Sequence, residues 1–195
     1  NYKLIEPETG NRKNGKVWLN VDRHMAYELS PYDVTLVMDI DYFPFTDTLR
    51  QFLNTKYDFL VSKSAYDLSD RNSFDYKNKS MIDMVWATVL VFRKCEKTKM
   101  IFDTVKYVKA YYSYFCDTYR IYDKRFRNDY AFAIALEQLN GFISYDTLPY
   151  KLPTLPPDCK VIDIDDTGLA WRQDDQINYI NDQDVHVLNK EVSYV

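Results

Sequence analysis

The sequence predicts an α/β fold in which helices flank a mixed, mainly parallel sheet. The residues from Val34 to Met38 form a short apolar, partly β-branched run, and those from Met84 to Phe92 form a second, nearly continuous one. Such runs are typical of strands that are buried on both faces of a parallel sheet. Between Lys97 and Tyr119 the apolar residues recur at spacings of three and four, which predicts a long helix packed against that sheet.

The other elements follow from helix caps and turn residues along the chain. A short helix is expected at 46–53 and a second one at 128–139, where Asn140-Gly141 is a common helix end. Further strands are expected at 57–61, 142–145 and 161–164, a rigid crossing at the prolines of 153–157, a polar loop at 1–16 and a surface loop at 64–80.

The composition is that of a globular protein, and residues 1–195 are expected to form a single domain. Hydrophobic residues make up 46% and charged residues 28% of the chain, and only 4 residues are glycine, which excludes a low-complexity chain. No apolar run reaches the roughly 18 residues that a membrane span needs, so no span is expected. Three cysteines without metal-binding spacing favour free thiols in a reducing compartment, and therefore a cytoplasmic location.

The net charge of −4 gives the chain no general field that attracts nucleic acid. A local cluster of basic side chains is nevertheless present, and acidic residues alternate with it. The basic members are Arg120, Lys124, Arg125 and Arg127, and the acidic members are Asp117, Asp123 and Asp129. A solvated mixed-charge surface is the simpler interpretation, and contact with DNA phosphates is the alternative.

The first apolar run ends in Asp39-Ile40-Asp41, at the kind of sheet edge where open α/β folds bind their ligands. Side chains two residues apart on a strand share a face, so both carboxylates can face one hard cation. By itself this pattern is weak, because acidic pairs after strands also cap helices and hold loops. Phosphatases of the haloacid-dehalogenase type open in the same way, but they have a small Thr or Val where this chain has Phe43, so that mechanism is disfavoured.

Four segments in a fixed order resemble the GT-A-type glycosyltransferases of phages and bacteria. The stretch 23–33 leads into 34–41 in the order of helix, turn, strand and D-x-D of that family. The segments 89–94 and 127–136 are similar to its later strand and to its helix that begins with an acidic residue. The segment 185–190 resembles the late region that supplies a His and a Lys. Together the segments cover the chain from Arg23 to Lys190.

The resemblance implies a metal site and a sugar-nucleotide site. Asp39 and Asp41 would hold the cation, Asp39 would also lie at the ribose of the donor, and His186 would be the third metal ligand. The implied cofactor is Mn²⁺ or Mg²⁺, and a neutral imidazole suits manganese better than magnesium. The alternative is that His186 binds no metal and is a partly exposed histidine in a tail strand.

Three further residues take roles only through the resemblance. Lys190 would pair with the β-phosphate, although an ordinary surface lysine is the alternative. Arg23 would reach the nucleotide. Asp129 would contact the donor sugar or act as general base toward the acceptor hydroxyl, and capping of its helix explains the residue equally well.

Two departures from the family pattern bear on activity. The family has Asn-x-Gly before the strand at Val89, where this chain has Trp86-Ala87-Thr88. The strand and loop that hold the nucleobase are hard to find, because only about twenty residues precede Arg23. Either the sequence begins within a longer protein, or part of the N-terminal nucleotide-binding region is missing.

The sequence is therefore expected to encode a metal-dependent glycosyltransferase that uses a nucleoside diphosphate sugar. For a phage enzyme, the acceptor hydroxyl is expected on a hydroxymethylated DNA base in the host cytoplasm, with a saccharide or a protein side chain equally admissible. The alternative is a binding or structural protein that keeps the GT-A scaffold without turnover.

Overall fold

A computed structural model describes residues 11–13, 16–18, 21–71, 74 and 80–189 and has a mixed α/β fold. The strands are β1 Asn11–Lys13, β2 Lys16–Trp18, β3 Val34–Met38, β4 Tyr42–Phe43, β5 Phe59–Ser62, β6 Ala65–Asp67, β7 Trp86–Arg93, β8 Leu152–Leu155, β9 Lys160–Ile164, β10 Gly168–Gln173, β11 Gln176–Asn181 and β12 Val185–Val187. The α-helices are α1 Ala26–Leu29, α2 Glu96–Ala110, α3 Tyr112–Thr118 and α4 Asn128–Leu139, and 3-10 helices lie at Arg23–Met25 and Thr48–Asn54. No helix among the described residues is long and apolar enough to cross a bilayer.

Contacts within the chain divide the described residues into two compact units. The first unit contains residues 11–33, 80–87 and 93–145, and the second contains 34–74, 88–92 and 146–189, with the gaps given above. The helices α1 to α4 belong to the first unit. The second unit contains most of the strands.

The first unit is held together by the packing of α2 on α4. The buried face of α2 includes Phe102, whose ring meets the ring of Phe132 edge to face, with 5.5 Å between centroids. This geometry is favourable because the partly positive edge of one ring meets the partly negative face of the other. Helix α4 is buried along most of its length, and Ala131 and Ile134 have no exposed surface.

The long helix predicted from Lys97 to Tyr119 is interrupted. Helix α2 ends at Ala110, Tyr111 has φ −117° and ψ 31°, and α3 begins at Tyr112. The apolar spacing could not reveal this break because it continues across it, with Val108 and Tyr112 both buried. The helix predicted at 128–139 is confirmed as α4.

The second unit contains three sheets. One has the order β3-β7-β5, and another has the order β4-β12-β8-β6. In the latter sheet, β8 is parallel to both β6 and β12, whereas β4 is antiparallel to β12. Strands β9, β10 and β11 form an antiparallel sheet. The mixed α/β class is thus confirmed in its coarse form, while the mainly parallel sheet is not.

Several predicted strands and loops need correction. The surface loop predicted at 64–80 contains β6, which pairs with β8, and residues 72–73 and 75–79 lie outside the described part of the chain. No strand forms at 142–145, because Phe142 has φ 61° directly after the turn at Gly141. The prolines at 153–157 begin inside β8, where Pro153 faces Tyr66 of β6 and pairing with β12 starts only at Thr154.

The polar loop predicted at 1–16 is also wrong where it can be tested. Residues Asn11–Lys13 form β1, which pairs antiparallel with β2. The other predicted elements agree with the structure within a few residues. Strand β3 has the predicted bounds, β5 and β7 are shifted toward the carboxyl end, β9 begins one residue earlier, and the expected helix at 46–53 is the 3-10 helix Thr48–Asn54.

A buried apolar cluster joins the antiparallel sheet to β8 and β12 within the second unit. Its members are Leu155, Cys159, Val161, Leu169, Trp171, Val185 and Val187. Phe43 and Phe45, which follow the D-x-D segment, pack against it. This core anchors the two chain segments that carry the candidate ligands.

Candidate metal centre

Asp39, Ile40 and Asp41 form a tight turn between β3 and β4. The backbone N–H of Asp39 donates to the carbonyl of Thr88 over 2.9 Å, and the N–H of Tyr42 donates to the carbonyl of Asp39 over 3.1 Å. The side chain of Ile40 is 93% exposed, whereas Asp39 and Asp41 are only partly exposed. The two carboxylates are therefore brought together by a turn, and not by the pleat of a continuing strand as the sequence suggested.

His186 is distant from Asp39 and Asp41 in sequence but lies close to them in the fold. It lies in the middle of β12 with 4% of its surface exposed, and its register partner in β4 is Tyr42. The N–H of Val187 donates to the carbonyl of Asp41 over 2.8 Å. Because backbone contacts tie β12 to the D-x-D turn, the imidazole is held beside it.

The three candidate ligand atoms, one each from Asp39, Asp41 and His186, lie within 4.8 Å of one another. Nε2 of His186 is 3.5 Å from Oδ1 of Asp41, and these side chains are 5% and 13% exposed. His186 is therefore not the partly exposed tail histidine that was its alternative interpretation.

The other ring nitrogen of His186 has its own neighbour. Nδ1 lies 3.5 Å from Oγ1 of Thr88, a side chain that is itself buried. If Nδ1 carries the proton and donates to this hydroxyl, the lone pair of Nε2 faces Asp41. Metal-binding histidines are commonly oriented by such a partner on the second nitrogen.

This set of donors fits a divalent cation. Two carboxylates and one neutral imidazole match the oxygen and nitrogen ligands that Mn²⁺ accepts, and the carboxylates suit Mg²⁺. Three protein ligands would leave coordination positions for water or for phosphate oxygens.

Asp129 belongs to the first unit, where its side chain has a structural role. Oδ1 accepts a hydrogen bond from the N–H of Ala87 over 3.0 Å, and Oδ2 accepts one from Arg127 over 2.9 Å. The carboxylate does not cap α4, although it lies in the first turn. Its capping interpretation is therefore wrong, and its proposed role as general base stays a prediction.

The structure does not test the two other residues that were predicted to contact the sugar-nucleotide donor. Arg23 begins a 3-10 helix in the first unit. Lys190 lies outside the described residues.

The basic cluster of the first unit is largely neutralised by its acidic neighbours. Lys124 pairs with Asp117 over 2.6 Å, Arg125 with Asp123 over 2.5 Å and Arg127 with Asp129 over 2.9 Å. The hydrogen bonds from Arg125 lower the pKa of Asp123, so this acid stays ionised and paired. These contacts favour a mixed-charge surface over a phosphate-binding one.

Sequence reasoning missed two buried polar residues next to the candidate ligands. Thr88 stands inside an apolar strand, and Asp184 precedes β12 with 6% of its surface exposed. Asp184 accepts a hydrogen bond from the hydroxyl of Tyr42. Burial, together with Tyr150 and Asp184, raises the pKa of Tyr42, so its hydroxyl remains a donor. For Thr88 the available signal was a polar residue inside an apolar run, whereas Asp184 follows Asp182 and Gln183 in a polar stretch that gives no such signal.

Comparisons with known proteins found nothing similar to this chain. It matches no protein family, no curated protein and no solved structure.

Proposed function

We propose that this chain is a metal-dependent glycosyltransferase that moves a sugar from a nucleoside diphosphate donor to an acceptor hydroxyl. The observation that carries the proposal is the convergence of Asp39, Asp41 and His186, whose ligand atoms lie within 4.8 Å of one another. The D-x-D pattern and the late His take these roles in the GT-A-type family that the sequence resembles. A GT-A-like arrangement of the sheet is part of the proposal.

The residues of the site suit a donor that carries a diphosphate. Asp39, Asp41 and Nε2 of His186 would hold Mn²⁺ or Mg²⁺. The cation would supply positive charge against the nucleoside diphosphate that departs as the glycosidic bond breaks. Without a cation, two carboxylates would repel such a donor, so binding of metal and nucleotide should be coupled.

The remaining contacts in the proposal come from the resemblance. Arg23 would contact the nucleotide, Asp39 the ribose and Lys190 the β-phosphate, while Asp129 would take the proton of the acceptor hydroxyl. In this structure both carboxylate oxygens of Asp129 accept hydrogen bonds, so that role requires a rearrangement of its contacts. A cytoplasmic location also remains part of the proposal.

The acceptor is proposed only as a hydroxyl group. A hydroxymethylated base in phage DNA would require a basic surface, and Lys124, Arg125 and Arg127 each have an acidic partner. A saccharide acceptor needs no such surface, because hydroxyl-rich ligands are bound by hydrogen bonds and aromatic rings. The DNA acceptor predicts binding to duplex DNA that weakens steeply with salt.

The direct test is thermal melting of the chain against a panel of nucleoside diphosphates, each with and without Mn²⁺. A bound ligand stabilises the folded chain by a free energy that grows with the logarithm of its concentration over its Kd. At 100 times the Kd the gain is about 2.7 kcal/mol, and the melting temperature rises accordingly. We expect one nucleotide to raise it strongly only when Mn²⁺ is present.

The same panel on Asp41→Asn and Asp175→Asn assigns the effect to the site. Both substitutions remove one negative charge, but Asp175 is an exposed residue of the turn between β10 and β11. The response should be lost in Asp41→Asn and kept in Asp175→Asn. No response of the wild-type chain to any metal or nucleotide would reject the transferase and leave the non-catalytic scaffold.

A further inference from the structure

A buried carboxylate of the second unit is hydrogen-bonded to the residue that follows Asp41. Asp184 precedes β12 by one residue and is 6% exposed. Its Oδ1 accepts hydrogen bonds from the N–H of Thr46 over 2.7 Å and from the hydroxyl of Thr46 over 2.8 Å. Its Oδ2 accepts one from the hydroxyl of Tyr42 over 3.3 Å. One side chain thus ties the chain segment after the D-x-D turn to the start of β12.

The segments that Asp184 joins are those that carry the candidate ligands. Tyr42 directly follows Asp41, and Asp184 lies two residues before His186. Strand β4 has only two residues, with Tyr42 paired to His186 and Phe43 paired to Val185. So short a pairing specifies its register weakly, and a slip of one residue would turn each side chain to the opposite face.

The hydrogen bonds of Asp184 hold that register from the far end of β4. The contact of Val187 with the carbonyl of Asp41 closes the near end. Between these two ties the separation of Asp41 and His186 is determined. A buried charged group is costly unless it is fully hydrogen-bonded, so a purely packing role here would be better served by an apolar side chain.

We propose that Asp184 is a positioning residue for the metal centre, and that its carboxylate keeps Asp41 and His186 at a separation at which both bind one cation. This inference rests on the proposed function, because it requires that the three residues hold a metal. It adds a residue that binds neither cation nor donor and acts through the backbone of β4 and β12.

The test measures the affinity of the chain of residues 1–195 for Mn²⁺ alone, from the loss of the spin-resonance signal of the free ion. Asp184→Asn keeps the size of the side chain but removes its charge and half of its acceptor oxygens. We expect its affinity for Mn²⁺ to fall about 10- to 100-fold, as for other residues that orient metal ligands. Tyr42→Phe removes the hydroxyl that donates to Asp184 over 3.3 Å and leaves the two hydrogen bonds from Thr46, so it should give a smaller loss in the same direction.

Ser62→Ala is the matched control for general destabilisation of the second unit. Ser62 is fully buried in β5, and its hydroxyl donates to the carbonyl of Ser64 over 3.1 Å. Urea unfolding gives the stability of every variant. We expect Ser62→Ala to lose stability and to keep the affinity of the wild-type chain for Mn²⁺.

The outcomes separate this inference from the proposed function. If the wild-type chain binds Mn²⁺ and Asp184→Asn binds it equally well, Asp184 has only a structural role and the inference is wrong. If Asp184→Asn does not fold, Tyr42→Phe decides the question by the same comparison. If the wild-type chain does not bind Mn²⁺, the metal centre itself is rejected, and the role of Asp184 with it.

Discussion

Without a cation, repulsion between the carboxylates of Asp39 and Asp41 should lower the free energy of unfolding. The substitution Asp39→Asn removes this repulsion and tests the prediction directly. One carboxylate oxygen of Asp39 and one of Asp41 lie within 4.8 Å of each other. At that separation two unit charges repel by about 3.5 kcal/mol at an effective dielectric constant of 20, and by about 0.9 kcal/mol in bulk water. Because the side chain of Asp41 is only 13% exposed, the true value should lie between these limits.

Replacement of one carboxylate by an amide of the same shape removes this repulsion. For a chain of 195 residues, 1 kcal/mol corresponds to about 2–4 °C in melting temperature. In the presence of a chelator, Asp39→Asn should therefore melt at least about 2 °C above the wild-type chain. With saturating Mn²⁺ the order should reverse, because only the wild-type chain has the complete set of ligands.

The assay is thermal unfolding at pH 8 in chelator and in Mn²⁺, followed by circular dichroism. Asp175→Asn again controls for the change in net charge from −4 to −3. Its melting temperature should stay close to that of the wild-type chain in chelator, and it should gain the full increment with Mn²⁺. If Asp39→Asn melts below the wild-type chain in chelator and still gains the wild-type increment with Mn²⁺, Asp39 neither repels Asp41 nor binds the cation.

Two further predictions concern the histidines. Thr88→Val keeps the shape of the side chain and removes the hydroxyl 3.5 Å from Nδ1 of His186, so affinity for Mn²⁺ in calorimetric titration should fall about 10-fold or more; unchanged affinity would show that packing alone orients the ring. In the first unit, burial and, to a smaller extent, the charge of Lys109 lower the pKa of His24 below its usual value. The unfolded chain therefore binds the proton more tightly than the folded chain, and the free energy of unfolding should fall as the pH drops below about 6.5. In His24→Gln this fall should be smaller. Urea midpoints at pH 7.5 and 5.5 test this, and equal losses in the two proteins would contradict it.

The elements that could be predicted from the sequence are those with local signals at both ends. Strand β3 is an apolar run stopped by Asp39, and α4 lies between Asn128 and the turn at Gly141. Their bounds agree with the prediction because those signals act within a few residues. The break at Tyr111 has no such signal, since the apolar spacing is the same on both sides of it.

The hairpin of β10 and β11 was missed for a different reason. Its second strand has exposed Ile177 and Tyr179, and its turn includes Asp174 with φ 53°. Apolar residues on the solvent side of a strand obscure the alternation of apolar and polar residues by which a half-buried strand is predicted. Strand β6 was missed because its pairing partner, β8, is far away in sequence.

The candidate site divides in the same way. Asp39 and Asp41 follow from the end of an apolar run, which the structure shows as the partly exposed edge strand β3. His186 entered only through the resemblance to a family. The sequence could not place Thr88 and Asp184 beside these ligands, because the contacts that do so join distant segments of the second unit. Local sequence patterns do not predict which segments far apart in sequence come into contact.

The separation of the candidate ligands along the chain has a consequence for folding. About 145 residues lie between Asp41 and His186, and closure of a flexible loop of that length costs about 4 kcal/mol in its length-dependent part. The three ligands therefore come together only after β12 has joined β4. A cation that binds them would oppose the reopening of this closure, so its rate of release should report how often β12 detaches from the second unit.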